Sequence, residues 1–215
     1  MGKTKVAHAL ADHLNAVEED STLVISMDVA TFDADTLKRR KAPWTFDMEL
    51  CAEQLALAKR NGCASLPKYS RKISDPVPNG VRLLKRHKIV LVKGLYGLWK
   101  DEYPELYKLW DKQWFVQCPS RKIQIEQLVQ RSLKTWSDAK AQLWGPGEIG
   151  ARKLVKYNDV QNMDLVKHCQ KYAKEITSTV DSRERHPAYA HIIHSKLVHG
   201  RTNTLVIILY STAKQ

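Results

Sequence analysis

The sequence lacks a long apolar run, a close cysteine pair and any repeated or low-complexity segment. No apolar stretch reaches the roughly 18 residues of a membrane-spanning helix, so no membrane span is predicted. The cysteines have neither close pairing nor metal-ligand spacing, which predicts small core residues in a reducing, intracellular compartment. They are Cys51, Cys63, Cys118 and Cys169.

Size and charge indicate one basic domain. The chain has 215 residues, 43% of them hydrophobic, which is enough for a single sizeable core. The net charge of +12 suits a chain that contacts RNA, an anionic membrane surface or an acidic protein. A solvated basic surface, or the high pI that is common among mitochondrial proteins, explains the same excess of positive charge. We favour a mitochondrial location over a cytoplasmic one. No RNA-binding signature such as a GXXG loop supports the RNA interpretation.

Short apolar strands alternate with amphipathic helices along the chain. Such alternation predicts an α/β fold whose parallel sheet carries helices on both faces and binds ligands at the carboxyl ends of its strands. The predicted strands are 22–27, 88–94, 113–118 and 205–210, and the predicted helices are 5–14, 47–59, 123–135 and 164–177.

The two ends of the chain carry complementary parts of one motif. Gly2-Lys3-Thr4 matches the second half of a phosphate-binding P-loop, but no strand precedes it in the sequence. The strand 205–210 and the residues after it, joined to Met1, read T-A-K-Q-M-G-K-T, which is the P-loop spacing with Thr212 in place of the first glycine. The alternatives are a chance match with an ordinary edge strand, a split loop, or a circular permutation. A permutation predicts strand 205–210 at the centre of the sheet beside strand 22–27, with Gln215 near Met1.

In a P-loop, backbone N–H groups and a helix N-terminus hold the phosphates. The lysine reaches the outer phosphates and the Ser/Thr hydroxyl binds Mg²⁺. Lys3 and Thr4 would keep these two roles. A break between Gln215 and Met1 would place a carboxylate in the cradle, where it would repel a triphosphate.

The composition predicts three parts of the chain. Residues 1–179 form the main domain, residues 180–203 a basic linker or arm, and residues 204–215 a terminal strand that completes the same sheet. The arm carries Arg183, Arg185 and Arg201, which we expect to contact RNA phosphate or an acidic protein surface.

The order of several motifs resembles the uridine kinase, pantothenate kinase and phosphoribulokinase group of P-loop kinases. The motifs cover residues 1 to about 177 and comprise Ser26-Met27-Asp28, the segment 39–47, Pro67-Lys68-Tyr69-Ser70 with residues 75–78, and the segment 90–96. The resemblance implies a nucleoside-kinase-like P-loop NTPase fold, a doubly wound parallel sheet, with ATP and Mg²⁺ as cofactors if the site is functional.

The resemblance also implies roles for individual residues. Asp28 matches the acid that accepts the proton of the substrate hydroxyl. A second group matches the acceptor side: Arg39, Arg40, Phe46, Asp47 and Tyr69, the last in a loop. The residues matched to nucleotide binding are Gly2, Lys3, Thr4 and Arg131. Arg131 lies in the helix that leads to the phosphate lid, and Thr4 is the expected Mg²⁺ ligand. Tyr157-Asn158-Asp159 looks like the asparagine–aspartate element of the group.

Three departures from the group's pattern predict a pseudo-enzyme. Val29-Ala30-Thr31 replaces a glycine-aromatic-histidine run, and Lys93-Gly94 replaces Glu-Gly, whose acid supports Mg²⁺. A lysine there inverts the local charge. In the lid region, where the group clusters arginines, Ser132 follows Arg131 and the segment 142–147 intervenes. The favoured function is a non-catalytic subunit of a larger assembly, mitochondrial or RNA-containing. The alternative is an active ATP-dependent kinase that phosphorylates a hydroxyl of a nucleoside, a pantothenate-like molecule or a sugar.

Overall fold

The computed structural model describes residues 2–27, 42–70, 75–118, 120–178 and 204–212. Its strands are β1 (Thr22–Ser26), β2 (Ala64–Ser70), β3 (Asp75–Leu83), β4 (Ile89–Lys93), β5 (Lys112–Cys118), β6 (Glu175–Ser178) and β7 (Thr204–Thr212). Its α-helices are α1 (Gly2–Val17), α2 (Met48–Asn61), α3 (Pro104–Lys108), α4 (Arg121–Leu133), α5 (Asp138–Trp144), α6 (Gly147–Leu154) and α7 (Val160–His168). In this part of the chain, no helix is long and apolar enough to cross a membrane.

The core of the fold is a parallel sheet of five strands in the order β1-β4-β7-β5-β6. A separate antiparallel hairpin is formed by β2 and β3. Parallel strands joined through helices require both faces of the sheet to be covered. The predicted α/β class and parallel sheet are therefore confirmed.

The last strand of the chain lies in the middle of this sheet. Leu205 pairs with Val90 of β4, and Tyr210 pairs with Val116 of β5. The predicted central position is confirmed, but the predicted neighbour is wrong: β4 lies between β7 and β1, because β4 pairs with both. Gln215 and Met1, which the permutation predicts to be close together, lie outside the described residues.

Helix α1 covers one face of the sheet. Its apolar side chains Ala7, Leu10, Ala11 and Leu14 recur at helical spacing and are buried against Leu91 of β4 and Trp114, Val116 and Cys118 of β5. Since β7 lies between β4 and β5, α1 lies over β7 as well. The strand and the helix are thus neighbours in space although they are far apart in sequence.

Asn15 fixes the direction of α1. The Thr22 N–H donates to Asn15 Oδ1 at 2.8 Å, and Asn15 Nδ2 donates to the Thr22 carbonyl at 3.1 Å. The C-terminal end of α1 is thereby tied to the start of β1, so the helix runs antiparallel to the strands. Its N-terminus, with Lys3 and Thr4, points toward the carboxyl edge of the sheet.

Replacement of Asn15 by alanine is expected to lower the free energy of unfolding by about 1–3 kcal/mol. Thr22 is only 5% exposed, so the lost partner leaves a buried backbone N–H and carbonyl unsatisfied. Denaturant titration measures the effect, and the exposed His8→Ala change on the same helix is the control. Equal stability of the two variants would show that the Asn15 bonds are not needed.

The opposite face of the sheet packs against α2, α3 and α7. Val90, Val92 and Phe115 point to this side, whereas Leu91, Trp114 and Val116 point to α1. Successive strand residues face opposite sides, so one strand supplies both cores. Helix α2 begins at the N-cap Asp47 and ends at Gly62, whose left-handed backbone (φ 68°) favours glycine.

Two predicted elements are corrected. The helix predicted over 164–177 ends earlier: a 3₁₀ turn at Cys169–Tyr172 is followed by extended Ala173, and Glu175–Ser178 forms strand β6. The pairing of β6 with β5 decides its conformation, which no local pattern indicates. Tyr69, predicted in a loop, lies in β2 opposite Pro76 of β3.

The four cysteines are free, and three of them are core residues as predicted. The fourth, Cys63, is exposed, which corrects its assignment to the core. Burial, followed by the nearby charge of Asp47, raises the pKa of Cys51 to about 12, and burial raises the pKa of Cys169 to about 12. Both thiols therefore stay protonated and unreactive near pH 7.

Iodoacetamide is expected to label Cys63 alone in the native protein at pH 8. In guanidinium chloride all four thiols should react, because unfolding removes the burial. Peptide mass spectrometry locates the label, and Cys63→Ser provides the blank. Rapid native labelling of Cys51 would contradict its buried position in α2.

Candidate active site at the carboxyl edge of the sheet

The described strands of the parallel sheet end along one edge. Ser26, Lys93, Thr212, Cys118 and Ser178 are their last residues. In open parallel sheets, ligands bind outside the carboxyl ends of the strands. Because the N-terminus of α1 points to this edge, the predicted phosphate-binding residues and the strand ends meet there.

The first turn of α1 carries the residues that are predicted to bind phosphate. Lys3 is half-buried and Thr4 is exposed. The unpaired N–H groups and partial positive charge of a helix N-terminus favour phosphate. The residues between Thr212 at the end of β7 and Gly2 at the start of α1, which the spliced motif requires, lie outside the described residues.

Lys93 places a second positive charge at the same edge. Its Nζ donates a hydrogen bond to Ser26 Oγ at 2.8 Å, which links the ends of β4 and β1. The Met27 N–H donates to the Lys93 carbonyl at 3.0 Å, so β1 and β4 stay paired one residue beyond the end of β1. A Cβ on Gly94 would lie 2.2 Å from the Sδ of buried Met27, which explains glycine at this position.

These residues fit phosphate better than a divalent cation. The Lys93 ammonium and the α1 N-terminus both favour an anion. Mg²⁺ needs oxygen ligands in near-octahedral geometry, and an ammonium at the end of β4 repels it. The Lys93–Ser26 pair therefore does not fit Mg²⁺, whereas Thr4 retains a hydroxyl suited to it.

In the described part of the predicted acceptor side, Phe46 and Asp47 make structural contacts. Asp47 Oδ1 accepts the Leu50 N–H at 2.9 Å and so caps α2, while the Phe46 ring packs edge-on against Tyr96 at 5.8 Å between centroids. A cavity between Met27, Cys51 and Leu66 has about 20 Å³, room for about one water molecule. Phe46 and Asp47 thus have structural contacts, and their predicted substrate role stays a prediction, as does that of Tyr69.

Arg131 and the asparagine–aspartate element are brought together. Arg131 Nη2 lies 3.2 Å from Asp159 Oδ1, which links α4 to a π-helical turn at Val155–Asp159. Within that turn Asn158 is 7% exposed, and its Oδ1 has no hydrogen-bond partner among the described residues. π-Helical turns occur often at functional sites. The nucleotide-binding role of Arg131 stays a prediction.

Several predicted residues lie outside the described part of the chain. They are Asp28, Arg39, Arg40, Arg183, Arg185 and Arg201, and their roles stay predictions. Sequence reasoning missed the contact of Lys93 with Ser26, because the two residues are 67 positions apart and only strand pairing joins them. The signal available was the location of both at the ends of apolar strands.

Solved structures resemble this fold. One, from Silicibacter sp. TM1040, is a proposed fructose transport system kinase: it has 21% sequence identity and a TM-score of 0.65, and the match covers 81% of this chain and 83% of that one. Another is YFH7 from Saccharomyces cerevisiae, a proposed P-loop-containing kinase with a circular permutation. It has 17% identity and a TM-score of 0.54, with 75% of this chain and 59% of that chain covered. No protein-family model matches the sequence, and no curated protein matches it.

The chain has the P-loop kinase fold. At sequence identities of 21% and 17%, the similarity shows the fold and does not establish an activity. The fold agrees with the predicted α/β doubly wound P-loop NTPase. In this chain the central strand β7 comes after, and not before, the helix α1 that covers it.

Proposed function

We propose that this chain is a degenerate kinase-fold protein that acts as a non-catalytic subunit of a larger assembly. The observation that carries the proposal is Lys93, whose ammonium is held by Ser26 at the carboxyl edge. In the resembling kinases an acid at this place supports Mg²⁺. The loss of one metal-supporting carboxylate costs several kcal/mol of transition-state stabilisation, so phosphoryl transfer would be slowed by several orders of magnitude.

The same geometry supports retained phosphate binding. Lys93 and the α1 N-terminus place positive charge where a nucleotide's phosphates would lie, and β7 with α1 would form the strand and helix of a P-loop. We infer that any nucleotide binds here without help from Mg²⁺. The affinity of this site for ATP would therefore not depend on Mg²⁺.

Calorimetric titration with ATP, with and without Mg²⁺, tests the proposal. We expect ATP affinity at the carboxyl edge to be unchanged or reduced by Mg²⁺, and Lys3→Ala to abolish binding at that edge. Lys93→Glu should make binding depend on Mg²⁺ by at least about tenfold. Lys112→Glu is the matched control, since it makes the same charge change at the amino edge of the sheet. Tight Mg²⁺-dependent binding by the unchanged chain would overturn the proposal.

A working ATP-dependent small-molecule kinase is the second candidate. The position of Lys3 and Thr4 in the first turn of α1 favours it, because both phosphate and Mg²⁺ contacts would be kept. Turnover with uridine, pantothenate or a sugar, followed by release of ADP, decides between the two. Robust phosphorylation would establish the kinase, while ATP binding without turnover supports the subunit.

We propose that the basic arm attaches the subunit to its assembly, which we place in the mitochondrion. Arginine side chains bind both phosphate groups and acidic protein surfaces. Replacement of Arg183, Arg185 and Arg201 by glutamine is expected to release the protein from its complex while leaving the unfolding transition unchanged. Co-sedimentation of the tagged protein from mitochondria measures release, and a steep loss with salt would indicate RNA phosphate. Unchanged association would show that the arm is a linker.

A further inference from the structure

The helices between β5 and β6 form an open cleft away from the sheet. Residues 143–145 at the end of α5 form one side, and Lys153, Lys156 and Tyr157 of α6 and the π-helical turn form the other. We call it the Trp144 cleft. Its volume is about 580 Å³, within the range of small-molecule sites.

Aromatic and apolar side chains that are partly or largely exposed line this cleft. Trp144 and Tyr157 pack with their ring centroids 5.2 Å apart and their planes tilted by 49°. Tyr157 remains 43% exposed and Leu143 64% exposed. Apolar side chains that gather on a surface beside polar groups mark a binding site more often than isolated ones do.

Two lysines add positive charge to the rim. Lys153 Nζ lies 3.9 Å from where a Cβ on Gly145 would be, so this ammonium lies over the turn that ends α5. Neither Lys153 nor Lys156 has an acidic partner among the described residues. The nearby acids are already engaged: Glu126 and Glu148 with Arg152, and Asp159 with Arg131.

The base of the cleft is closely packed. A Cβ on Gly150 would lie 2.0 Å from the Gly145 carbonyl oxygen and 2.6 Å from the Trp136 ring. Helix α6 and the end of α5 therefore touch through their backbones. A surface held by backbone contact needs little reorganisation when it binds a ligand.

We propose that the Trp144 cleft binds a nucleotide unit, with the base stacked on Tyr157 and Trp144 and the phosphate at Lys153 and Lys156. Aromatic side chains flanked by cations form the usual platform for unpaired bases. The unit comes from a free mononucleotide or from single-stranded RNA, which share this chemistry. None of the residues that line the cleft belongs to the carboxyl-edge site, and the inference stands whether or not ATP binds at that edge.

The test uses the full chain carrying Lys3→Ala, so that the α1 site does not contribute. Fluorescence anisotropy measures binding of a labelled octauridylate, and AMP is added as a competitor. Tyr157→Leu is expected to weaken binding about 5- to 100-fold, while Tyr157→Phe, which keeps the ring, changes it less than twofold. A fluorescence shift of the tryptophans on binding provides a second readout.

Charge is tested separately with the pair Lys153→Gln and Lys156→Gln. Two lost phosphate contacts should reduce the slope of log K against log salt by about 1.4. Lys122→Gln with Lys134→Gln, exposed lysines of the same helical region, removes equal charge outside the cleft and is the matched control. Circular dichroism confirms that each variant is folded.

Each outcome decides the proposal. Weakening of octamer binding by Tyr157→Leu and not by Tyr157→Phe supports the cleft, and octamer binding that Tyr157→Leu leaves unchanged overturns it. When the cleft is supported, displacement of the octamer by AMP at similar concentrations assigns a free nucleotide, and binding of the octamer without displacement by AMP assigns RNA. Absence of binding to either ligand overturns the proposal. So does equal weakening by the two lysine pairs, or equal affinity for polyglutamate with no effect of Tyr157→Leu, which would indicate a surface for acidic proteins.

Discussion

A chain that ends after residue 203 is expected to lose the cooperative unfolding transition of the intact protein. Such a chain lacks β7, which pairs with β4 from Ile89 to Lys93 and with β5 from Lys112 to Cys118. Its removal leaves two inner edges unpaired and uncovers the underside of α1. Net stabilities of domains are about 5–15 kcal/mol, and the loss of a central strand exceeds this margin. Circular dichroism and thermal melting measure the loss.

A chain that ends after Thr212 is the matched control. It keeps every β7 residue that pairs with a neighbour, so it should melt like the intact protein. A synthetic peptide of residues 200–215, added in excess, should restore the transition of the shorter chain, because α1 and the two edges form its binding surface. A stable, cooperatively folded chain without β7 would contradict the central position of this strand.

Replacement of Gly150 by alanine is expected to destabilise the helices around the Trp144 cleft by about 3 kcal/mol, the upper end of the range typical of overpacking. Helix propensity alone predicts the opposite sign, since alanine is favoured over glycine by about 1 kcal/mol within a helix. The new Cβ, however, would lie 2.0 Å from the Gly145 carbonyl oxygen and 2.7 Å from its carbon. Backbone atoms cannot turn aside as a flexible side chain does, so α5 and α6 must separate.

Gly147→Ala is the comparison that isolates the clash. Gly147 has a positive φ of 44° but nothing within 4 Å of its Cβ position, so alanine meets only backbone strain, about 1 kcal/mol. Denaturant titration should give a much lower free energy of unfolding for Gly150→Ala than for Gly147→Ala. Tryptophan fluorescence should report the separation of α5 and α6 near Trp136. If both changes cost the same, the close approach at Gly150 is not a constraint.

Much of the fold follows from local patterns. The spacing of Ala7, Leu10 and Leu14 predicts α1, and the apolar runs 22–27, 88–94 and 113–118 predict three strands that the structure contains with slightly different ends. These succeed because the periodicity of burial acts within a few residues. The helix predicted across Glu175–Ser178 fails for the converse reason, since pairing with β5 overrides the local preference.

The sequence alone determined that an apolar terminal strand and a Gly-Lys-Thr helix start are present, because both depend on short stretches of residues. Tertiary structure decided that β7 lies between β4 and β5, and not beside β1, because strand order is set by pairing across the sheet. It also decided that Lys93 meets Ser26 and that Trp144 meets Tyr157 beside two lysines. Contacts between distant segments depend on how helices and strands pack, and no local pattern carries that information.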